Sequence, residues 1–187
     1  MNATNKEALD QLAQILTITP QQYVDALLAL HDKLDDKKVK WVISGNLAEC
    51  LRTVKVKPEC IEILTSKIGA EQICQAVQEL KPQQISFQTQ RLPRNVVIEQ
   101  KDYPVYTRSH YFEFNLNGLV VKVHGDLQYK VGDWDWGDIF DFNPEYVYVA
   151  GKKTAVTPLS VQYQLCHALG WTDRAEKILQ VTKKPLP

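Results

Sequence analysis

The chain has 187 residues, enough for one domain with a substantial core. Its 22 Lys and Arg balance 22 Asp and Glu, so the formal net charge is zero, which argues against a strongly basic nucleic-acid surface and leaves room only for a local patch. No apolar run reaches transmembrane length and no signal-peptide pattern is present, so a cytoplasmic location is the expectation. Cys50, Cys60, Cys74 and Cys166 show no CxxC spacing and read as buried free thiols rather than zinc ligands or a disulfide framework.

In chain order, residues 6–16 carry Leu9, Leu12, Ala13 and Leu16 at helical spacing. Thr19-Pro20 reads as a helix start, a hydroxyl N-cap followed by proline, for a helix reaching about Lys37. His31 lies beside its apolar row and reads as an ordinary boundary histidine. Asp35-Asp36-Lys37-Lys38 reads as a solvated helix end. The run Trp41-Val42-Ile43 predicts a short strand, and Ser44-Gly45-Asn46 a turn that can cap the helix over Leu47–Val54. Pro58 breaks the chain before a second strand with Ile61, Ile63 and Leu64. Residues alternate faces along a strand, so Cys60 and Glu62 point the same way, toward Gly45 if the two strands are neighbours. Strand, glycine turn and helix is also the layout of a phosphate cradle, although most such turns are only tight connections.

Ser66 to Leu80 predicts a helix with Ile68, Ile73, Ala76, Val77 and Leu80 inward. Ile85-Phe87 and Val96–Ile98 suggest short strands, kept short or at an edge by Pro93 and Pro104. Asn117-Gly118 is a hairpin turn between Tyr111–Leu116 and Leu119–Val123. The run 133–138, rich in Asp and Trp, has glycine at the wrong place for a calcium loop and reads as a surface turn. Tyr146, Tyr148 and Thr154–Val156 flank Gly151 as a last hairpin. Thr157-Pro158 opens a helix to about Leu169, and Thr172–Lys183 forms another.

Gly45-Asn46, a spacer, and then Cys60-Ile61-Glu62-Ile63 resembles the signature of the nucleotidyltransferase superfamily, in which a glycine turn precedes two acidic residues alternating with apolar ones. VKPECIEILT resembles the corresponding strand of its small stand-alone members. TRSHYFEFNLNGLVVKVHGDLQ and TPLSVQYQLCHALGWTDRAEKIL resemble their later strands and C-terminal helices, so the likeness spans roughly residues 22–181. It implies an α+β fold, a mixed β-sheet flanked by helices with C-terminal helices. The expected organisation is a single domain over 1–187, with N-terminal helices over 1–38, the sheet core over 39–157 and C-terminal helices over 158–183.

The resemblance also assigns the family's active-site positions to Gly45, Asn46, Cys60, Glu62 and Lys122, the last where a third acidic residue belongs. A thiol and an ammonium thus replace two of three carboxylates. Thiolate suits magnesium poorly, and one carboxylate rarely holds the metal pair this chemistry uses. Either Glu62 still anchors a metal, with Asp126 as a second ligand and Lys122 on a phosphate, or Lys122 pairs with Glu62 and supplies in cis the missing positive charge. Asn46 caps the helix or touches phosphate. Arg52 and Arg108 are further phosphate candidates, His110 is a general-base candidate, and Cys60 lacks the paired histidine a nucleophile needs.

These residues give two readings. One is a catalytically degenerate domain that binds a nucleotide or a protein partner. The other is a magnesium-dependent enzyme moving a nucleoside monophosphate from a nucleoside triphosphate to a protein, RNA or small molecule. A DNA-binding regulator is disfavoured by the neutral charge.

Overall fold

A computed structural model describes residues 19–141 and 143–182; the helix expected over 6–16 lies outside them. The first described helix, α1 (Gln21–Leu34), continues as a 3₁₀ turn at Asp35–Lys37. Its N-cap position is Pro20, one residue later than expected, and the buried Thr19 hydroxyl caps nothing and has no hydrogen-bond partner among the described residues. Strand β1 (Val42–Ser44) leads directly into the short helix α2 (Gly45–Leu51). Strand β2 (Ile61–Thr65) follows Pro58, and Ser66 caps α3 (Lys67–Ala76) by accepting from Gly69 N–H. Ile68, expected inward, is exposed, whereas Ile73 and Val77 are buried.

Strands β3 (Ser86–Ile98), β4 (Lys101–Leu116) and β5 (Leu119–Val131) are far longer than the sequence suggests. The expectation that Pro93 and Pro104 would keep these strands short fails, for a local reason. Pro93 sits in a bulge of β3, an edge strand, between Arg91 and Asn95, where its missing N–H breaks no ladder. Pro104 pairs with Asn95 just before the β4–β5 ladder begins at Val105 and Val131, and its carbonyl accepts from Gly132 N–H. A last hairpin, β6 (Glu145–Val149) and β7 (Lys152–Val156), precedes helices α4 (Leu159–Ala168) and α5 (Thr172–Thr182).

The seven strands form one mixed sheet in the order β3-β4-β5-β2-β1-β7-β6. β1 and β2 run antiparallel, while β2–β5 and β1–β7 are parallel. Alternation along the central strands sends Ile43, Ile61, Ile63, Val121, Val123 and Phe112 to one face, where they pack with Leu27, Leu30 and Ile73 of the helices beneath. The opposite face carries Ser44, Glu62, Lys122 and Glu113, brought into one row across four strands by the register Ser44↔Glu62, Glu62↔Lys122 and Glu113↔Lys122. Helices α4 and α5 cover that polar face; their apolar cluster includes Leu159, Cys166, Ala175 and Ile178.

His31 is buried, with Nε2 against the Thr154 hydroxyl and Nδ1 2.9 Å from the Asp35 carboxylate. Asp35 also accepts from Lys152, so the expected solvated helix end is tied to β7. Among the described residues, no helix is long and apolar enough to cross a membrane.

Candidate active-site cleft

Between the polar face of the sheet and the C-terminal helices lies a cleft of about 410 Å³, lined by residues from both sides. Ser44, Gly45, Cys60, Glu62 and Lys122 form its floor. The resemblance joined Gly45, Cys60, Glu62 and Lys122, and the β1–β2–β5 register brings them together with Ser44. Gly45 has φ +65, a left-handed conformation that favours glycine. A Cβ there would also stand 2.8 Å from the Glu62 carboxyl carbon. The glycine therefore admits a carboxylate of its own chain, and the space expected to cradle phosphate is taken by Glu62.

The Cys60 thiol donates toward Glu62 Oε1 at 3.8 Å. Burial and then the Glu62 charge raise that thiol to about 11, so it is neutral near pH 7. The ion pair expected between Glu62 and Lys122 is absent: Glu62 is turned onto Gly45, and Lys122 forms no ion pair among the described residues. The Lys122 ammonium, placed in register between two glutamates, is left facing the cleft.

A bulge in β5 shapes the rest of the floor. The β4–β5 register shifts between Arg108 and His110, and Asp126 in the bulge has φ +52. The extra residue changes the parity of β5, so His124, Leu127 and Tyr129 all line the cleft. Burial and then the Lys122 charge lower the His124 imidazole to about 4. His124 Nδ1 lies 3.1 Å from the Ser109 hydroxyl, and its ring packs on Tyr111 at 5.0 Å.

Several expected contacts fall elsewhere. Asp126, proposed as a metal ligand, sits in the bulge and does not line the cleft. Arg108 has the parity of Phe112, so it points to the opposite face of the sheet. There its guanidinium lies 4.4 Å from the Trp136 ring, and its Nε donates to Gln128 at 2.9 Å. His110 is on that same face, its ring tilted against Phe87 with centroids 5.0 Å apart, and is not a general base for this cleft. Arg52 pairs with Glu145 and is not among the lining residues. Asn46 does line the cleft but does not cap α2, and its Nδ2 donates to the Lys57 carbonyl at 3.0 Å.

Sequence reasoning missed the far wall. Glu49 on α2 is completely buried and holds Arg174 of α5 by two nitrogens at 2.7–3.0 Å. Burial raises the Glu49 carboxyl and the arginine works against that rise. For Arg174, burial opposes the charge, but Glu49 outweighs it and the net shift is upward. Gln162 of α4 donates to the Gly45 carbonyl at 3.4 Å, tying the wall to the glycine turn.

A glycine-admitted carboxylate on β2, flanked by β5 and roofed by C-terminal helices, is the site geometry that the sequence resemblance implies. The family model of aminoglycoside-2″-adenylyltransferases matches residues 26–182. The chain belongs to that family. Among solved structures, a Thermotoga maritima protein described as a candidate nucleotidyltransferase is 28% identical, with a TM-score of 0.63 over 87% of this chain and 93% of its own. A lincosamide antibiotic adenylyltransferase with lincomycin bound aligns over 84% of this chain and 96% of its own, at 11% identity and a TM-score of 0.49. No curated protein matches at a significant level.

The donor set of the cleft bears on which ion it could hold. Magnesium takes hard oxygen ligands, usually carboxylates. The cleft is lined by two carboxylates, Glu62 and the exposed Glu59, with a neutral thiol and an ammonium beside Glu62, a poor fit to that ion. Among the described residues, no group of three or more His, Cys, Asp and Glu side chains is arranged to hold a metal.

Proposed function

We propose that this chain binds a nucleoside triphosphate in the cleft without a divalent cation and does not transfer its nucleoside monophosphate. The reading rests on the Lys122 ammonium, which faces the cleft beside Glu62 without a carboxylate partner. A fixed cation in that position attracts phosphate oxygens directly and repels a second cation such as magnesium. The neutral Cys60 thiol adds no anion to offset it. Membership of the family supports a nucleotide as the ligand class; the acceptor in the family's name is not part of this proposal.

Equilibrium titration of nucleoside triphosphates in EDTA and in magnesium, with a radiolabel transfer assay alongside, tests the reading. Binding is expected in EDTA at least as tight as in magnesium, with no labelled product on the protein or on added acceptors. Magnesium-dependent turnover that is lost in Glu62→Ala and kept in Lys122→Ala would overturn it in favour of an active transferase.

A further inference from the structure

Arg174 is held with uncommon definition for an arginine on a C-terminal helix. Its Nε reaches both Glu49 oxygens, at 2.8 and 3.0 Å, and its Nη2 reaches Oε1 at 2.7 Å. A planar guanidinium fixed by two of its nitrogens has no rotational freedom left. The third nitrogen, Nη1, bonds nothing among the described residues. Glu49 is wholly buried, whereas the Arg174 side chain is 23% exposed and lines the cleft. The pair thus has a protected end, the carboxylate, and an end that reaches the cavity.

A second donor lies beside it. The Trp171 indole N–H is buried at the cleft wall with no acceptor among the described residues, and the Arg174 guanidinium sits 5.6 Å from its ring. Buried donors without partners are rare in folded proteins, and one beside an unused guanidinium nitrogen in a cavity wall points to a missing acceptor. Lys122 lies in the floor, and the Glu62 charge reaches Arg174, so wall and floor share one electrostatic environment. Two carboxylates line the same cleft, Glu62 turned onto Gly45 and Glu59 exposed, and the Lys122 and Arg174 cations match them in formal charge.

We infer that Arg174, oriented by Glu49, is a second anion-binding residue of the cleft and clamps the phosphate chain of the bound nucleotide against Lys122. This rests on the metal-free binding proposed above. Glu49 is a positioning residue that touches no ligand; it sets the plane in which Arg174 Nη1 points. The arrangement also explains a buried charge pair in the wall of a cavity, where an apolar pair would pack as well.

Calorimetric titration of ATP and of adenosine in EDTA separates the parts. Arg174→Gln alone strands Glu49, so the informative protein is the double variant Glu49→Gln with Arg174→Gln, which leaves no buried charge. It is expected to weaken ATP at least about tenfold, the loss typical of a charged hydrogen bond, with a shallower salt dependence, while adenosine affinity stays unchanged. Glu49→Gln alone, which keeps the cation and loses its orientation, is expected to fall between wild type and the double variant. ATP binding to the double variant as tight as to wild type overturns the clamp and leaves metal-free binding standing. Equal losses for ATP and adenosine assign the pair a purely structural role and also overturn it. Failure of wild type to bind ATP in EDTA overturns both proposals together.

Discussion

Ile43, Ile61, Ile63, Val121 and Val123 pack under the sheet, while the residues alternating with them in the same strands, Ser44, Glu62, Lys122 and His124, face the cleft. The underside is a continuous apolar layer closed by α1 and α3, and burial of area holds it whatever the partner. The cleft side is held by specific pairs: Cys60 with Glu62, Ser109 with His124, Glu49 with Arg174, Gln162 with the Gly45 carbonyl. A face built from area tolerates exchange of one apolar residue for another of similar size. A face built from pairs depends on which residue meets which. Cys60 and Lys122 lie on that second face, so a change of charge at either leaves the apolar layer beneath undisturbed.

The largest expected effect lies on the underside. Phe112 is fully buried among the core strands, so Phe112→Ala is expected to cost about 3–5 kcal/mol in urea unfolding. Leu64 of β2 is nearly as buried but lines the cleft, where the space left by Leu64→Ala opens to solvent and its cost is clearly smaller. Equal costs at the two positions would erase the contrast between the faces.

The next effect belongs to the cleft alone. His124 titrates near pH 4 in the fold because of burial and Lys122, against about 6.5 in an unfolded chain. Between those values the unfolded chain binds a proton that the folded one refuses, so stability falls as pH drops through that window. The full difference is about 3 kcal/mol. Comparing wild type with His124→Gln at pH 7 and pH 4 isolates this contribution from the other titrating groups. The variant is expected to lose that much less on acidification. An identical pH dependence for both proteins would mean that the imidazole titrates normally and is solvated.

The same contrast explains what the sequence could reveal. Area-driven features leave local periodic signals: β1, β2, the helix after Ser66 and the Asn117-Gly118 turn were all legible from spacing. The resemblance carried Gly45, Glu62 and Lys122 to one site. The lengths of β3, β4 and β5 were hidden because proline reads as a strand breaker, and only sheet order shows that β3 is an edge and tolerates a bulge. Side-chain direction beyond that point was hidden too, since the β5 bulge reverses parity and sends Asp126 out of the cleft while admitting Leu127 and Tyr129. Glu49 left half a signal. Its neighbours Leu47, Ala48, Cys50 and Leu51 are all buried, so Glu49 has no wet side of the helix to turn to and needs a cation. Which of 22 Lys and Arg supplies it depends on a contact 125 residues away.

The smallest expected effects concern Glu62, and they separate two kinds of contact. Gly45→Ala places a methyl group against the Glu62 carboxyl and also forces a non-glycine residue to φ +65, which costs roughly 1–2 kcal/mol by itself. Glu62→Ala removes the carboxyl and leaves the backbone cost. In the Glu62→Ala background Gly45→Ala is therefore expected to cost less, by about 0.5–3 kcal/mol, the usual coupling of residues in contact. Lys122 behaves differently, because its ammonium forms no ion pair with that carboxylate. Glu62→Gln and Lys122→Met are expected to be additive within about 0.5 kcal/mol. Urea unfolding of both double-mutant cycles reads the two couplings side by side. A Glu62–Lys122 coupling near the roughly 3–5 kcal/mol of a buried pair would mean that the two charges meet in solution and that Lys122 is not available to a ligand. Steric coupling to Gly45 without electrostatic coupling to Lys122 is the result that leaves the ammonium free for phosphate.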